Sequence, residues 1–259
     1  MENLKKSQFK HFISLGYFCS IAQDLEKLGL RDKSYPFDWC ITDLEKNIEL
    51  INNNFESILD MDLLSQDKEI PHHYRNDKYD FYFFHDFNSE ETLKDQLQNV
   101  KDKYKRRIKG FYKDIEEPTL FIRYISPEKI NSEGKPLELI YIEENHSHIL
   151  DTLKRFNPKN EIIYITNIGF QSEVIKVFNV SNDDGDIVSR SPLYKQNSLF
   201  NYFSNVDYPN REQNLDFLKS KDTKTRKLRS RIIKKFVTIL GKNIHMLNNS
   251  MIRKMKNYG

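Results

Sequence analysis

Cys19 is the residue best placed to do covalent chemistry in this chain. Residues 12–15 form a short apolar run stopped by Gly16, and Ile21, Ala22, Leu25 and Leu28 then recur at helical spacing up to Gly29. A buried strand therefore turns into a helix, with Cys19 at the junction. A cysteine there faces unpaired backbone N–H groups and the positive end of the helix dipole, and both favour the nucleophilic thiolate. The competing role is that of a buried structural cysteine. His85 ends the aromatic run of residues 81–84, where a side chain can point into a cleft at a sheet edge or be satisfied by a backbone carbonyl. Asp86 follows at once. Successive strand residues face opposite sides, so Asp86 is poorly placed to orient His85 if the strand continues through it. Asp38 and Asn167 are the other candidates for a third member, and Asp38 could equally cap a helix or pair with Arg31. Arg123 stands inside an apolar run, where it needs a partner: Asp38, Asp86, or an anionic group of a substrate.

These residues need a scaffold. Thr42 followed by Glu45 reads as a capping box opening a helix with Leu44, Ile48, Ile51 and Phe55 on its apolar face. Trp39, the single Trp, is expected to plug the core beside the loop that Pro36 marks, and Cys40 to be core. Residues 60–78 read as irregular and polar. Ser89 or Thr92 caps a long amphipathic helix through Leu93, Leu97, Val100, Tyr104 and Ile108. Residues 119–125 are a strong strand, Pro136 starts a helix running to about Phe156, and residues 162–166 are another strand. Strand, helix, strand at that spacing is a βαβ unit with parallel pairing, and residues 174–180 suit a further strand. The fold expected is α/β, a layered and mostly parallel sheet flanked by helices, in one domain over residues 1–215.

The blocks Ser14-Leu15-Gly16-x-x-Cys19-x-x-Ala22-x-x-Leu25, Leu30-Arg31, Pro36-Phe37-Asp38-Trp39, His85-Asp86-Phe87 and Phe121-Ile122-Arg123 together resemble a bacterial family of unknown function described as papain-like cysteine peptidases. The resemblance covers roughly residues 10 to 125. It implies Cys19 as nucleophile and His85 as general base, with Asp86 or Asp38 as further catalytic candidates. Arg31, Arg123, Gly16 and Trp39 become candidate substrate contacts. It also implies a papain-like α+β fold, the alternative to the layered sheet that the periodicity favours. A nucleophile and base pair recurs on unrelated folds, so residues and architecture need not stand together.

Composition narrows the rest. The chain has 259 residues, 38% hydrophobic and 31% charged, with two cysteines, which rules out a disulfide framework as the source of stability. No run of 18 apolar residues or apolar leader is present, so a cytoplasmic location is expected. The net charge of +3 hides an asymmetry: residues 219–259 hold thirteen Lys and Arg against Asp222 alone, a net of +12, and the remainder carries −9. Projected at about 100° per residue, Ile232, Ile233, Phe236, Ile239 and Leu240 share one face and Arg231, Lys234, Lys235, Thr238 and Lys242 the other, with Arg229 the exception on the apolar face. A basic amphipathic helix over 228–242, within a C-terminal extension of residues 216–259, is built to lie on an anionic membrane surface at the inner face. Docking on the acidic body competes with that reading, and nucleic acid is weakly supported.

No metal or cofactor is expected. His146 and His148, two apart on a helix, point about 200° apart; Asp184-Gly185-Asp186 reads as a tight turn; and no glycine-rich phosphate loop is present. Three function classes remain. One is a cysteine hydrolase (peptidase or amidase) or acyl transferase acting on a peptide, glycan or small molecule. The second is a glycosyl- or acyltransferase of surface-polysaccharide biosynthesis at the inner membrane face. The third is a non-catalytic binding module.

Overall fold

The computed structural model describes residues 9–70, 72–182 and 188–221. The chain divides into two compact units, Met1–Asn214 and Leu215–Gly259. In the second, residues 215–221 are helical, and the expected basic helix over 228–242 lies outside the described residues, as does the Asp184 turn.

In chain order, the first unit runs β1 (His11–Ser14), α1 (Ser20–Lys27), β2 (Cys40–Ile41), α2 (Leu44–Asn52), β3 (Leu64–Gln66), β4 (Tyr74–Asn76), β5 (Phe81–Phe83), α3 (Leu93–Ile115), β6 (Thr119–Tyr124), α4 (Leu137–Lys154), β7 (Glu161–Thr166), β8 (Val177–Asn179), α5 (Pro192–Lys195) and α6 (Asn197–Asn205). Strands β1, β6, β7 and β8 form a parallel sheet in that order. Alternation along these strands splits the core in two. Phe12, Leu120, Ile122 and Ile165 pack with Ile21, Leu25, Leu193 and Phe203 from α1, α5 and α6 on one face. On the other face Ile13, Phe121 and Tyr164 pack with Ile48, Phe111 and Ile142 from α2, α3 and α4. The layered α/β sheet flanked by helices is thus the architecture, and β6, buried at all six positions, is its centre, as expected for a parallel strand covered on both faces.

A second sheet, antiparallel and ordered β2, β5, β4, β3, takes β5 from the aromatic run expected to be a strand and β3 and β4 from the stretch that reads as irregular. Its strands are two or three residues long, too short for a period-2 pattern to register, and Arg75 and Asn76 make them look polar. Asn76 is nonetheless buried, with its amide donating to the carbonyls of Ser57 (2.9 Å) and Ile58 (3.1 Å).

Arg123 holds the two sheets together. It is fully buried in β6, and its partner is neither Asp38 nor Asp86 but Glu138, in the first turn of α4. Nη1 donates to Leu15 O (2.5 Å), and Nη2 to Thr42 O (2.7 Å) and Glu138 Oε1. The same carboxylate accepts from the backbone N–H groups of Leu44 (2.6 Å) and Ser126 (2.5 Å). Glu138 thereby caps α2 in place of the expected Thr42 and Glu45 box; the N-cap is Asp43, whose side chain makes no capping bond. At the next helix Thr92 does cap α3, accepting from Asp95 N. Replacing Arg123 by Met should leave Glu138 charged and buried without its partner, and destabilise the protein by about 3–5 kcal/mol. Urea unfolding checks this, and a loss under about 1 kcal/mol would contradict the role assigned to the pair.

Candidate functional site

The carboxyl end of β1 carries the turn that matters. Leu15 and Tyr17 continue the ladder beside β6 through Leu15 N to Ile122 O (2.9 Å) and Tyr17 N to Tyr124 O (3.2 Å). Between them Gly16 has φ +80°, and a Cβ there would stand 3.0 Å from Arg123 Nη1. Glycine is therefore needed twice, for the left-handed backbone and for the close approach of the guanidinium. Cys19 follows as the N-cap residue of α1, with φ −69° and ψ −11°. The residue is 7% exposed, and its thiol accepts from Gln23 Nε2 at 3.4 Å, one turn along. Burial pushes the Cys19 thiol above its ordinary pKa, offset in part by its own backbone N–H. The resting residue is a thiol, not the thiolate that the helix position suggests.

Facing this turn is the outer side of the antiparallel sheet. Phe18 meets Phe84 edge-on at 6.1 Å, and burial, then the negative charge of Glu128, drives the Tyr17 pKa well upward. Phe84 and Glu128 line a groove of about 470 Å³ together with Ile41, Asp67, Arg75 and Tyr82. His85 lies beside it, its ring 4.7 Å from Phe84 and 6.0 Å from Trp39. Desolvation by these neighbours lowers the His85 pKa from 6.5, with His72 adding to the effect and Asp86 opposing it. Neutral imidazole is the form of a base. The structure holds Cys19 and His85 on facing segments, joined through Phe18 and Phe84, with no hydrogen bond between Sγ and the ring.

The chain's membership follows from a wider match. Residues 10–153 fit the profile of the family described as "putative papain-like cysteine peptidase". The chain belongs to this family. It is also 35% identical over 181 residues to an uncharacterised protein of Acanthamoeba polyphaga mimivirus, covering 60% of this chain and 77% of the viral one. No solved structure matches. The peptidase-family label sits here on a cysteine helix that follows a strand of a parallel sheet.

The other candidates separate. Asp86 turns away from His85 into α3, where it accepts from Tyr104 OH (2.9 Å), Arg107 Nη1 (2.9 Å) and Lys103 Nζ (3.1 Å). Asp38 accepts from Tyr35 N (2.7 Å) and pairs with Arg31 Nε at 3.2 Å, and burial still pushes its carboxyl upward. Arg31 donates from that Nε to Lys33 O, from Nη1 to Ala22 O and from Nη2 to Ser34 Oγ. Trp39 is half-buried rather than a core plug, with the Arg31 guanidinium 5.2 Å over its ring. Cys40 is core and donates weakly to Phe37 O. Arg123 is occupied within the fold, and Asn167 sits past the end of β7. Among the described residues no three His, Cys, Asp or Glu side chains are grouped so as to hold a metal ion.

One constellation escaped the sequence. Tyr82 OH donates to Asp67 Oδ2 (2.9 Å) and lies 2.9 Å from Nδ1 of the buried His73. A hydroxyl that gives its proton to Asp67 can only accept from His73, so Nδ1 carries the ring proton and Nε2 the lone pair. The His73 ring lies 4.6 Å from Phe84, and burial, then His72, lowers its pKa. In sequence His73 lies in the stretch of residues 60–78 that reads as irregular and polar. Replacing Tyr82 by Phe should free the His73 tautomer, shifting its ¹⁵N resonances, and cost about 1–3 kcal/mol for the orphaned Nδ1–H. Unchanged imidazole resonances would refute the relay.

Proposed function

We propose that this protein is a thiol hydrolase or acyl transferase of the papain-like family in which Cys19 is the nucleophile and His85 takes up its proton. The observation that carries the reading is the position of Cys19. It stands at the N-cap position of α1, past the carboxyl end of a parallel strand, against the aromatic segment that brings His85 and a groove of suitable size. In the reaction Sγ attacks an acyl carbon, its proton passes to the imidazole, and backbone N–H groups at the start of α1 hold the oxyanion. Collapse of the tetrahedral adduct returns the proton to the leaving amine or alcohol. The thioester then passes its acyl group to water or to an acceptor. Peptide, amide and acyl substrates meet the same atoms. The polysaccharide reading loses one support, because Arg123 is fully buried and both its Nη atoms are bonded within the fold.

A raised thiol and a lowered imidazole describe a neutral pair rather than a preformed thiolate–imidazolium pair, and that fixes a pH signature. Acylation by an activated ester, followed as a mass adduct on Cys19 in a Cys40→Ala background, should rise through the His85 pKa below 6.5 and stay level up to the thiol pKa. Alkylation by iodoacetamide, which reports thiolate alone, should keep rising above pH 9. His85→Ala should slow acylation by about 10²-fold or more while leaving alkylation nearly unchanged; His73→Ala run alongside shows which imidazole takes the proton. An adduct that forms equally well without either histidine, or not on Cys19, would overturn the reading.

A further inference from the structure

A second groove, of about 700 Å³, lies between α3 and the loop after α2, within the roughly 300–1,000 Å³ of small-molecule sites. It shares no lining residue with the groove beside Phe84. Its floor is apolar, made of Phe55, Ile58, Leu59, Tyr104 and Ile108, and its rim is cationic, made of Lys101, Lys105 and Lys109. The lysines follow one another at four-residue steps along α3, so three ammonium groups stand in a row on one helix face with a rise of about 6 Å between them.

Among the described residues none of the three has an ion-pair or hydrogen-bond partner, whereas Lys103 and Arg107, on the neighbouring face, are neutralised by Asp86. Like charges four apart on a helix repel, so the unneutralised row disfavours the empty helix and favours an anion. Asp60, the acid in this lining, is turned to its own loop and accepts from Asp62 N. The opposite wall is preformed. Asn54, Phe55 and Ser57 all have left-handed backbone, with φ of 57°, 58° and 59°, an unfavourable conformation for residues carrying a Cβ. It is held in place by Asn76 on the Ser57 and Ile58 carbonyls and by Tyr79 OH on Glu56 O at 2.8 Å. A wall fixed before binding spares the ligand the ordering of that loop.

We propose that this groove binds a single-chain anionic amphiphile, a long-chain fatty-acid carboxylate whose chain lies on the Phe55, Ile58 and Ile108 floor and whose head meets the lysine row. A polyanion would gain nothing from the apolar floor, and a neutral lipid nothing from the lysines; the two together select a molecule with both. The site does not depend on the chemistry assigned to Cys19.

The test is displacement of a fluorescent fatty-acid probe from the full chain by hexadecanoate below its micellar concentration, with hexadecanol as the neutral control. Hexadecanoate should displace the probe at least tenfold better than hexadecanol. Lys101→Gln, Lys105→Gln and Lys109→Gln combined should weaken it by about tenfold or more. Ile108→Glu should abolish binding, and Cys19→Ala should leave it intact. Circular dichroism of the triple variant, whose substitutions are all at exposed positions, separates loss of binding from loss of fold. Equal binding of acid and alcohol, or an unchanged triple variant in a folded protein, would overturn the proposal. So would binding to anionic vesicles with none to free hexadecanoate, which would make the groove a membrane contact.

Discussion

One buried ion pair, Arg123 with Glu138, decides how the parts of this molecule meet. An isolated charge in such a place would be prohibitively unfavourable, and even a pair is often no better than a well-packed apolar substitute. What offsets the desolvation here is the number of backbone groups the pair satisfies. The guanidinium takes the carbonyls of Leu15 and Thr42, and the carboxylate takes the N–H groups of Leu44 and Ser126. Those four groups belong to the end of β1, the residue after β2, the start of α2 and the loop after β6. No apolar pair could bind all four, so the charges are retained for what they position. Asn47 adds a second donor to Leu15 O at 2.7 Å, which fixes the approach to Gly16 and so the direction in which the chain enters the Cys19 turn.

The state of Cys19 is a contest between two effects of known size. A helix N-terminus contributes about 0.3–1 kcal/mol to an adjacent negative charge, less than the 1.36 kcal/mol of one pKa unit. Burial acts the other way and can move a group by several units. With Cys19 buried and its hydrogen-bond partner the neutral amide of Gln23, burial wins and the proton stays on sulfur. A cysteine in that state needs a neutral base nearby, and lowered imidazole pKa values at His85 and His73 supply the matching half. Desolvation is the first cause of both shifts, and the Phe84 ring lies against both imidazoles.

Much of the scaffold was legible because it is periodic. The run Thr119 to Tyr124, the Pro136 start and the strand before Asn167 gave the βαβ unit and the parallel sheet, since a strand covered on both faces must be apolar throughout. Arg123 was recognisable as a residue needing a partner, but Glu138 was not named, although it is a carboxylate in the first turn of the very next helix. The capping role also went to Glu138 rather than to Thr42 and Glu45, because a charge arriving from another element can serve an N-terminus as well as a local side chain can. Of the antiparallel sheet only the aromatic strand β5 was legible: its partners, two or three residues long, carry no pattern, and Asn76 reads as loop although its amide is buried and bonded.

The same shortness explains why the hydrogen-bonded histidine was not the expected one. In β5 the side chains of Phe81 and Phe83 enter the core while Tyr82 faces the groove, as strand alternation requires. The strand stops at Phe83, parity lapses in the bend that follows, and Asp86 swings into the cluster of Tyr104, Lys103 and Arg107 instead of lying under His85. The acid next to a histidine in sequence therefore serves the scaffold. The acid that orients a histidine, Asp67, reaches His73 through Tyr82 on an adjacent strand. Proton-handling groups here are assembled across strands rather than along the chain, so their chemistry depends on the register that pairs Tyr74 with Phe83 and Arg75 with Tyr82. A one-residue slip would turn Tyr82 into the core and break the Asp67–Tyr82–His73 chain with it.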